Sequence, residues 1–248
     1  MSPPNAARTA RERARAELTQ EIKEEARRQL AGVGANGLSL RAVARELGMV
    51  SSALYRYFPS RDDLLTALII DAYDAIGSAA EAAIAAAAGA PARERWVVAC
   101  RAIRAWAVAN PHEYALIYGS PVPGYRAPEA TVGPASRVPL AFSSVLADAA
   151  ANGSLPATAA EPPELAGPLA AQAAALSAAL AEALPGAPAK AAGACPVPPD
   201  VLVRAVIAWT QLFGMISFEL FGQFVGSFEP ADAIFGYAVE QMSAFVGL

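Results

Sequence analysis

The chain has 248 residues, enough for one large domain or two modest ones, and 55% of them are hydrophobic while 17% are charged. This composition excludes a disordered chain, and the many alanines (one residue in four) favour a mainly helical protein, because alanine costs least in a helix. Two cysteines are too few for a disulfide framework and one histidine is too few for a histidine-rich metal site, so we expect no metal and no cofactor.

Positive charge is concentrated near the N-terminus. Residues 1–61 contain 11 Lys and Arg against 6 Asp and Glu, a net charge of +5, whereas residues 62–248 contain 8 against 17, a net charge of −9. A basic segment on an acidic body is typical of a protein that binds a polyanion at one end. From charge alone, a solvated charged helix is an equally good interpretation.

The sequence predicts a cytoplasmic location. The N-terminal segment has no apolar stretch of the kind found in signal peptides. The longest uncharged apolar stretch in the C-terminal half, residues 205–218, is shorter than the roughly 20 residues needed to cross a bilayer.

The first 76 residues predict four helices. Apolar side chains recur every three or four residues between Leu18 and Val33, which is the period of an amphipathic helix. Ser39 is placed to cap a second helix, which Gly48 ends after about two turns. The fourth helix, which Ser60 can cap, carries an apolar stripe up to Ile76.

The third helix is short and has two unlike faces. Ser51 and Ser52 begin it, Leu54 and Phe58 are its apolar anchors, and a proline follows. Its other face offers hydroxyl and guanidinium groups that can donate hydrogen bonds to phosphates or base edges. Together with the second helix it predicts a helix-turn-helix over residues 39–58.

A specific run of residues follows this pattern. Serine begins the second helix, glycine makes the turn, Leu-Tyr-x-x-Phe forms the third helix, and a basic residue precedes acidic-Leu-Leu. The matching residues are Ser39, Gly48, Leu54, Tyr55, Phe58, Arg61 and Asp63-Leu64-Leu65. This run resembles the DNA-binding domain of TetR-type transcriptional regulators. The resemblance implies an all-α fold in which a DNA-binding domain (residues 17–76) is joined by a linker helix to a larger helical domain (residues 77–248).

The resemblance also implies a set of DNA-contacting residues. Arg41 matches a position from which some family members reach a base, and residues 51–53 match the base-reading start of the recognition helix. Tyr55, Tyr57 and Arg61 match positions that contact phosphates. The full set is Ser39, Arg41, Ser51, Ser52, Ala53, Tyr55, Tyr57 and Arg61. Because Ala53 has no polar group, it can contact only a thymine methyl group.

We expect residues 1–16 to be a flexible basic tail. It carries four arginines: Arg8, Arg11, Arg13 and Arg15. The tail could enter a minor groove next to the recognition helix, as homeodomain arms do. Alternatively, it is a disordered, solvated segment.

The C-terminal region is expected to alternate helices with proline-rich connections. An apolar stripe from Trp96 predicts a helix that ends near Asn110, and Pro111 suits the first position of a short helix. A long loop is predicted over 119–139 because that segment contains five prolines and three glycines. Residues 138–149 predict another helix, and 153–199 form a Pro/Ala-rich insert with a weak helical stretch near 164–184.

Two strongly apolar helices are predicted at the end of the chain, over about 200–224 and 231–246. The first is apolar nearly all round, so it must be covered on every side. We infer a homodimer in which each protomer contributes two helices to a four-helix bundle, the alternative being a bundle within one chain. The expected interface residues are Leu202, Ala205, Trp209, Ile216, Leu220, Ile234, Ala238, Met242 and Phe245.

Two segments of the C-terminal region, residues 104–126 and 208–222, are similar to the class of TetR-type C-terminal domains called the WHG domain. The insert over 153–199 departs from that compact pattern. The resemblance implies an apolar effector cavity, although each proposed lining residue, taken singly, is more often plain core. The candidates are Trp96, Trp106, Tyr114, Tyr118, Phe142, Trp209 and Phe213, with His112 as a polar handle.

The resulting hypothesis is a DNA-binding regulator, a repressor that a small apolar effector releases from a palindromic operator. A regulator that binds DNA constitutively is the nearest alternative. An enzyme is disfavoured because the chain has no P-loop, no G-x-S-x-G motif and no dinucleotide-binding glycine motif after a strand. A third alternative, a redox sensor, would depend on Cys100 and Cys195.

Overall fold

Helices form all the regular structure in the described part of the chain. The computed structural model describes residues 4–155, 165, 167–183 and 197–248, and over these residues it contains no strand. This confirms the all-α prediction. The elements are α1 (Pro4–Gly37), α2 (Leu40–Glu46), α3 (Ser51–Leu54), α4 (Arg61–Ala86), α5 (Ala92–Ala109), α6 (Pro111–Tyr118), a 3₁₀ turn (Glu129–Thr131), α7 (Val132–Ala151), α8 (Gly167–Ala183), α9 (Pro199–Leu220) and α10 (Asp232–Val246).

The first compact unit combines residues 1–73 with residues 110–132. Its core joins the predicted apolar stripe of α1 from Leu18 to Leu30 to the buried faces of α2, α3 and α4, whereas Val33, expected at the end of that stripe, is 60% exposed. Leu116, Val122 and Tyr125 pack against this core. From the sequence, the first domain was expected to end near residue 76. The first unit also contains a later segment of the chain, residues 110–132, which that boundary assigned to the second domain.

The predicted helix starts in this unit are capped as the sequence indicates. The Ser39 hydroxyl accepts a long, 3.5 Å hydrogen bond from the Ala42 amide at the start of α2. The Ser60 hydroxyl accepts from the Asp63 amide at 3.1 Å and donates to the Asp63 carboxylate at 2.7 Å, at the start of α4. Gly48, which ends α2, has a φ of 64°, a conformation that side chains with a Cβ rarely adopt.

The N-terminal segment differs from expectation. Residues 1–16 were expected to be a flexible tail, but α1 begins at Pro4. Residues 6–16 are composed almost entirely of Ala, Arg and Glu, and these are among the residues with the highest helix propensity. The first helix therefore extends well beyond the part whose apolar stripe is buried.

The second compact unit comprises residues 74–109 and 133–248. Arg104 of α5 joins its helices by donating to both oxygens of Glu219 on α9, at 2.6 and 2.7 Å, and to Asp232 of α10 at 3.0 Å. The same guanidinium lies over the ring of Phe235. Arg104 thus holds α5 against both closing helices.

In the middle of the chain, one predicted loop is shorter than expected and one weakly predicted helix is present. The loop expected over 119–139 ends earlier, because α7 begins at Val132 and contains Pro139 within it. Pro134 costs little because it is the third residue of α7, where the first amides have no partner in the helix, whereas Pro139 lies in the helix interior. Within the insert, α8 confirms the weak helical stretch, whereas residues 156–164 and 184–196 lie outside the described part.

The closing helices are where the sequence predicts them, but several expected interface residues face inward. Leu202, Ile216, Ala238 and Met242 are buried within the protomer. The exposed apolar side chains lie on the other side of the same helices and on the loop between them: Val206, Ile207, Phe218, Phe221, Val225, Phe228, Tyr237 and Phe245. In a helix that is apolar all round, periodicity cannot tell which side faces the protein's own core.

Helix α9 also meets the length and hydropathy criteria of a membrane-spanning helix, and in the part of the chain that is described no other helix does. Helices that pack in a protein core or against a second subunit meet the same criteria.

Candidate DNA-binding surface

The recognition segment, residues 51–58, is held by two buried anchors. Helix α3 makes one turn, and the chain continues in tight turns in which the amides of Tyr57 and Phe58 both donate to the Leu54 carbonyl, at 2.8 and 3.1 Å. The Leu54 side chain is fully buried and that of Phe58 is 6% exposed. Because these two side chains fix the segment in the core, its opposite face is presented to solvent.

That outer face carries most of the side chains expected to contact DNA. Ser52, Tyr55 and Arg56 are exposed, and Ser51 and Ala53 are partly exposed. The set combines two small hydroxyl donors, a phenol and a guanidinium, which suit both phosphates and the acceptors on base edges. The sequence prediction is therefore compatible with the position of every residue in this segment.

Helix α2 contributes two more cations. Arg41 is exposed at its start, and Arg45, one turn later, is exposed and lies 3.4 Å from Glu46. Arg45 was not in the predicted set, although its i, i+4 spacing from Arg41 places both on one side of the helix. The Ser39 hydroxyl caps α2, so this side chain has a structural role in the fold.

Arg61 has partners other than the expected phosphate. Its guanidinium donates to the carbonyls of Ala35 at 2.7 Å and Leu38 at 3.1 Å, with a longer contact to Asn36. Ala35 and Asn36 lie in the last turn of α1, beyond the non-helical Gly34, and Leu38 is the residue just after the helix. Arg61 therefore caps α1 from the start of α4, and most of its donors are not directed towards solvent.

Tyr57 links the recognition segment to α1. The guanidinium of Arg15 lies over the Tyr57 ring, 5.5 Å from its centroid. A cation over an aromatic face at this distance is attracted by the quadrupole of the ring. The contact brings the N-terminal turns of α1, which precede its buried stripe, beside the candidate DNA-binding surface.

The residues expected to line an effector cavity are divided between the two units. In the second unit Trp96 stacks on Phe142 with ring centroids 4.4 Å apart, and Trp209 meets Phe213 at 5.6 Å. The indole N–H groups of Trp96 and Trp209 are buried and have no hydrogen-bond partner. Trp106 is partly exposed.

In the first unit the aromatic candidates lie on α6. Tyr114 is fully buried and its ring centroid lies 5.2 Å from that of Tyr118. Burial raises the pKa of the Tyr118 hydroxyl above its ordinary value. His112 is exposed, which differs from the enclosed polar handle that the sequence suggested.

The redox-sensor alternative depends on the state of the two cysteines. Cys100 is fully buried, and burial raises the pKa of its thiol well above the usual range. A thiol held neutral in this way is a poor nucleophile and a poor redox sensor. Cys195 lies outside the described residues. Across the described ranges, no three His, Cys, Asp or Glu side chains are grouped so that they could hold a metal ion.

Two family models match this chain. Residues 22–68 match the model for bacterial regulatory proteins of the tetR family, and residues 96–242 match the C-terminal domain of tetracyclin repressor-like proteins. The first match covers the recognition segment and its supporting helices, and the second covers α5 to most of α10.

Individual relatives agree with these matches. The chain is 39% identical over 220 residues to the HTH-type transcriptional regulator Rv1816 of Mycobacterium tuberculosis, which covers 85% of this chain and 84% of that protein. The crystal structure of a protein described as a regulatory protein, SCO4313, is 35% identical with a TM-score of 0.68 and covers 93% of this chain and 97% of its own.

A more distant likeness concerns the fold alone. The TetR family transcriptional regulator PfmR from Thermus thermophilus is 16% identical with a TM-score of 0.53, covering 91% of this chain and 96% of its own. The names of the family models and of the relatives describe regulators of transcription and not enzymes.

Proposed function

The chain belongs to the TetR family of DNA-binding transcriptional regulators, and from this premise we propose that it is a cytoplasmic, homodimeric repressor. It binds a palindromic operator and is released by a small apolar effector. The observation that carries the proposal is the recognition segment, in which exposed Ser52, Tyr55 and Arg56 lie opposite the buried anchors Leu54 and Phe58.

DNA recognition in this proposal depends on a small set of base contacts. Arg41, Ser51 and Ser52 read base edges, Ala53 contacts a thymine methyl group, and Tyr55 and Tyr57 donate to phosphates. Arg56, expected on the outer face of the third helix, and Arg45 on α2 have exposed guanidinium groups that suit phosphate contacts. Arg61 supports the surface by capping α1.

The exposed apolar side of α9 and α10 supports the homodimer. Val206, Ile207, Phe218, Tyr237 and Phe245 are 43–68% exposed, and exposed apolar patches of this kind mark subunit contacts. Of the interface residues expected from the sequence, only Phe245 is exposed on this side. Four others are partly exposed: Ala205, Trp209, Leu220 and Ile234. A dimer presents two recognition segments to half-sites one DNA turn apart, which is why we expect a palindromic operator.

The effector part of the proposal is a population shift. The effector must bind the released state more tightly than the DNA-binding state, or it changes nothing. We assign the C-terminal region to the WHG class and place the effector among its aromatic residues. Two buried indole N–H groups without partners, those of Trp96 and Trp209, support an effector that is mainly apolar and carries a hydrogen-bond acceptor. Helix α4, whose residues belong to both units, is the proposed lever.

A compound screen tests this function. The DNA upstream of the gene is labelled, bound to the purified protein, and challenged with apolar compounds that carry acceptors. We expect at least one compound to release the DNA and to raise the melting temperature of the free protein, because it binds the folded state. Compounds that raise the melting temperature but leave DNA affinity unchanged would indicate constitutive DNA binding instead. Deletion of the gene should raise transcription from the bound promoter, and a fall would indicate an activator.

A further inference from the structure

The N-terminal arm, residues 10–17 of α1, continues the buried stripe of the helix as a line of arginines. At 3.6 residues per turn, the directions of Arg11 and Arg15 differ from that of buried Ile22 by only about 20°. Arg13 points about 180° away from the same stripe. All three arginines are exposed. The side of α1 that packs on the core at Ile22 therefore becomes basic as it leaves the core.

The contact between Arg15 and Tyr57 places this line of arginines beside the recognition segment. Tyr57 belongs to the recognition segment, and the Arg15 guanidinium lies over its ring at 5.5 Å. Arg11 lies one turn further from the core on the same side of α1, about 6 Å further along the helix axis. No acidic residue lies on this line, since Glu12 and Glu17 point to other sides of the helix.

The helical state of the arm determines what it can contact. An α-helix with its side chains is about 10–12 Å across, whereas the minor groove of B-DNA is about 6 Å wide. A helical arm therefore cannot enter the minor groove in the way an extended arm does. It can lie beside the duplex and direct its arginines at phosphate oxygens, for which guanidinium groups are well suited.

We propose that the arm contacts the DNA backbone next to the half-site as a helix, through Arg11 and Arg15, with Arg15 steadied by the ring of Tyr57. This proposal depends on the DNA-binding function above and adds a second point of contact to it. The contact is with phosphates, so it strengthens binding to every duplex and lengthens the protected region without reading sequence.

The first experiment measures salt dependence with matched variants. Affinity for a random-sequence duplex of 30 base pairs is measured against salt concentration for wild type, Arg11→Ala, Arg15→Ala and the control Arg13→Ala. Removing one phosphate contact from the complex should lower the slope of log K against log salt by about 0.9. We expect this decrease for Arg11→Ala and Arg15→Ala, and an unchanged slope for Arg13→Ala. Equal slopes in all four proteins, or equal decreases in all three variants, would overturn the proposal.

The second experiment tests whether the arm acts as a helix. Ala14→Pro breaks the helix between the two arginines without altering a core residue, and Ala14→Gln is its helix-compatible control. We expect Ala14→Pro to lower the slope as Arg11→Ala does, and Ala14→Gln to leave it unchanged. Full binding by Ala14→Pro, with a new dependence on A·T-rich flanks, would instead support an extended arm in the minor groove. If wild type binds no DNA at all, the proposed function fails and not only the arm.

Discussion

The guanidinium of Arg61 donates a 2.7 Å hydrogen bond to the backbone carbonyl of Ala35, so the first residue of α4 caps the end of α1. These two helices flank the helix-turn-helix in sequence. The basic residue after the recognition segment therefore stabilises the frame in which that segment is held.

The first prediction separates this role from phosphate binding. We expect Arg61→Ala to lower the free energy of unfolding by about 1–2 kcal/mol, because it removes charge-assisted hydrogen bonds to the carbonyls of Ala35 and Leu38. Urea denaturation measures this change. The salt dependence of DNA binding should stay the same. Arg56→Ala is the matched contrast, since its exposed side chain should affect the salt slope and not stability. A reduced slope for Arg61→Ala would restore the phosphate contact expected from the sequence.

The second prediction concerns the two serine caps. Ser60→Ala should lower the free energy of unfolding by about 1 kcal/mol, because it removes both hydrogen bonds with Asp63. Ser39→Ala should cost less, since its hydroxyl lies 3.5 Å from the Ala42 amide. Both variants are compared in urea, where an unchanged m value indicates that only stability has changed. A larger effect for Ser39→Ala would show that its cap is tighter in solution.

Local signals in the sequence predicted the helix-turn-helix well. The caps at Ser39 and Ser60, the glycine turn at Gly48 and the anchors Leu54 and Phe58 each depend on neighbours within a few residues. Other features depend on distant parts of the chain. Arg61 is paired with carbonyls more than 20 residues earlier, and segment 110–132 packs into a unit whose other part ends at residue 73. Periodicity could not reveal either relationship.

The closing helices show a second limit of sequence reasoning. Their boundaries were predicted closely, but their inner and outer sides were not, because apolar residues surround α9. Only the packing of α9 with α10, α8 and α5 determines that Ile216 is buried and Phe218 exposed. The outward position of Ser51, Ser52, Ala53 and Tyr55 was easier to predict, since the recognition segment has one apolar side and one polar side.

The third prediction tests the corrected dimer surface. Ile207→Glu and Tyr237→Glu should each shift the protein from dimer to monomer, because a charge is placed in the apolar contact. Val108→Glu is the control, since Val108 is exposed to the same degree as Ile207 but lies on α5. Sedimentation velocity measures the mass, and circular dichroism checks that the helices are retained. If Ile207→Glu and Tyr237→Glu both remain dimers, the assigned dimer surface is wrong.

The fourth prediction concerns Cys100. Burial raises the pKa of this thiol, so the reactive thiolate should stay scarce even as the pH is raised to about 9. We expect iodoacetamide to leave Cys100 unmodified in the native protein at pH 7 and pH 9, and to modify it fully in urea. Mass spectrometry of the peptide that contains Cys100 measures both. Fast native alkylation, together with DNA release by peroxide, would support a redox sensor.

The central claim is that the surface around the recognition segment binds a specific DNA site. Its most direct test is a titration of the purified protein against the DNA flanking its own gene, at two salt concentrations, with an unrelated duplex as competitor. The account predicts tight binding that resists the competitor, protection of one palindrome, and relaxed preference at defined base pairs in Ser52→Ala. Equal, weak binding to both duplexes, by protein shown by mass spectrometry to carry no bound small molecule, would contradict it.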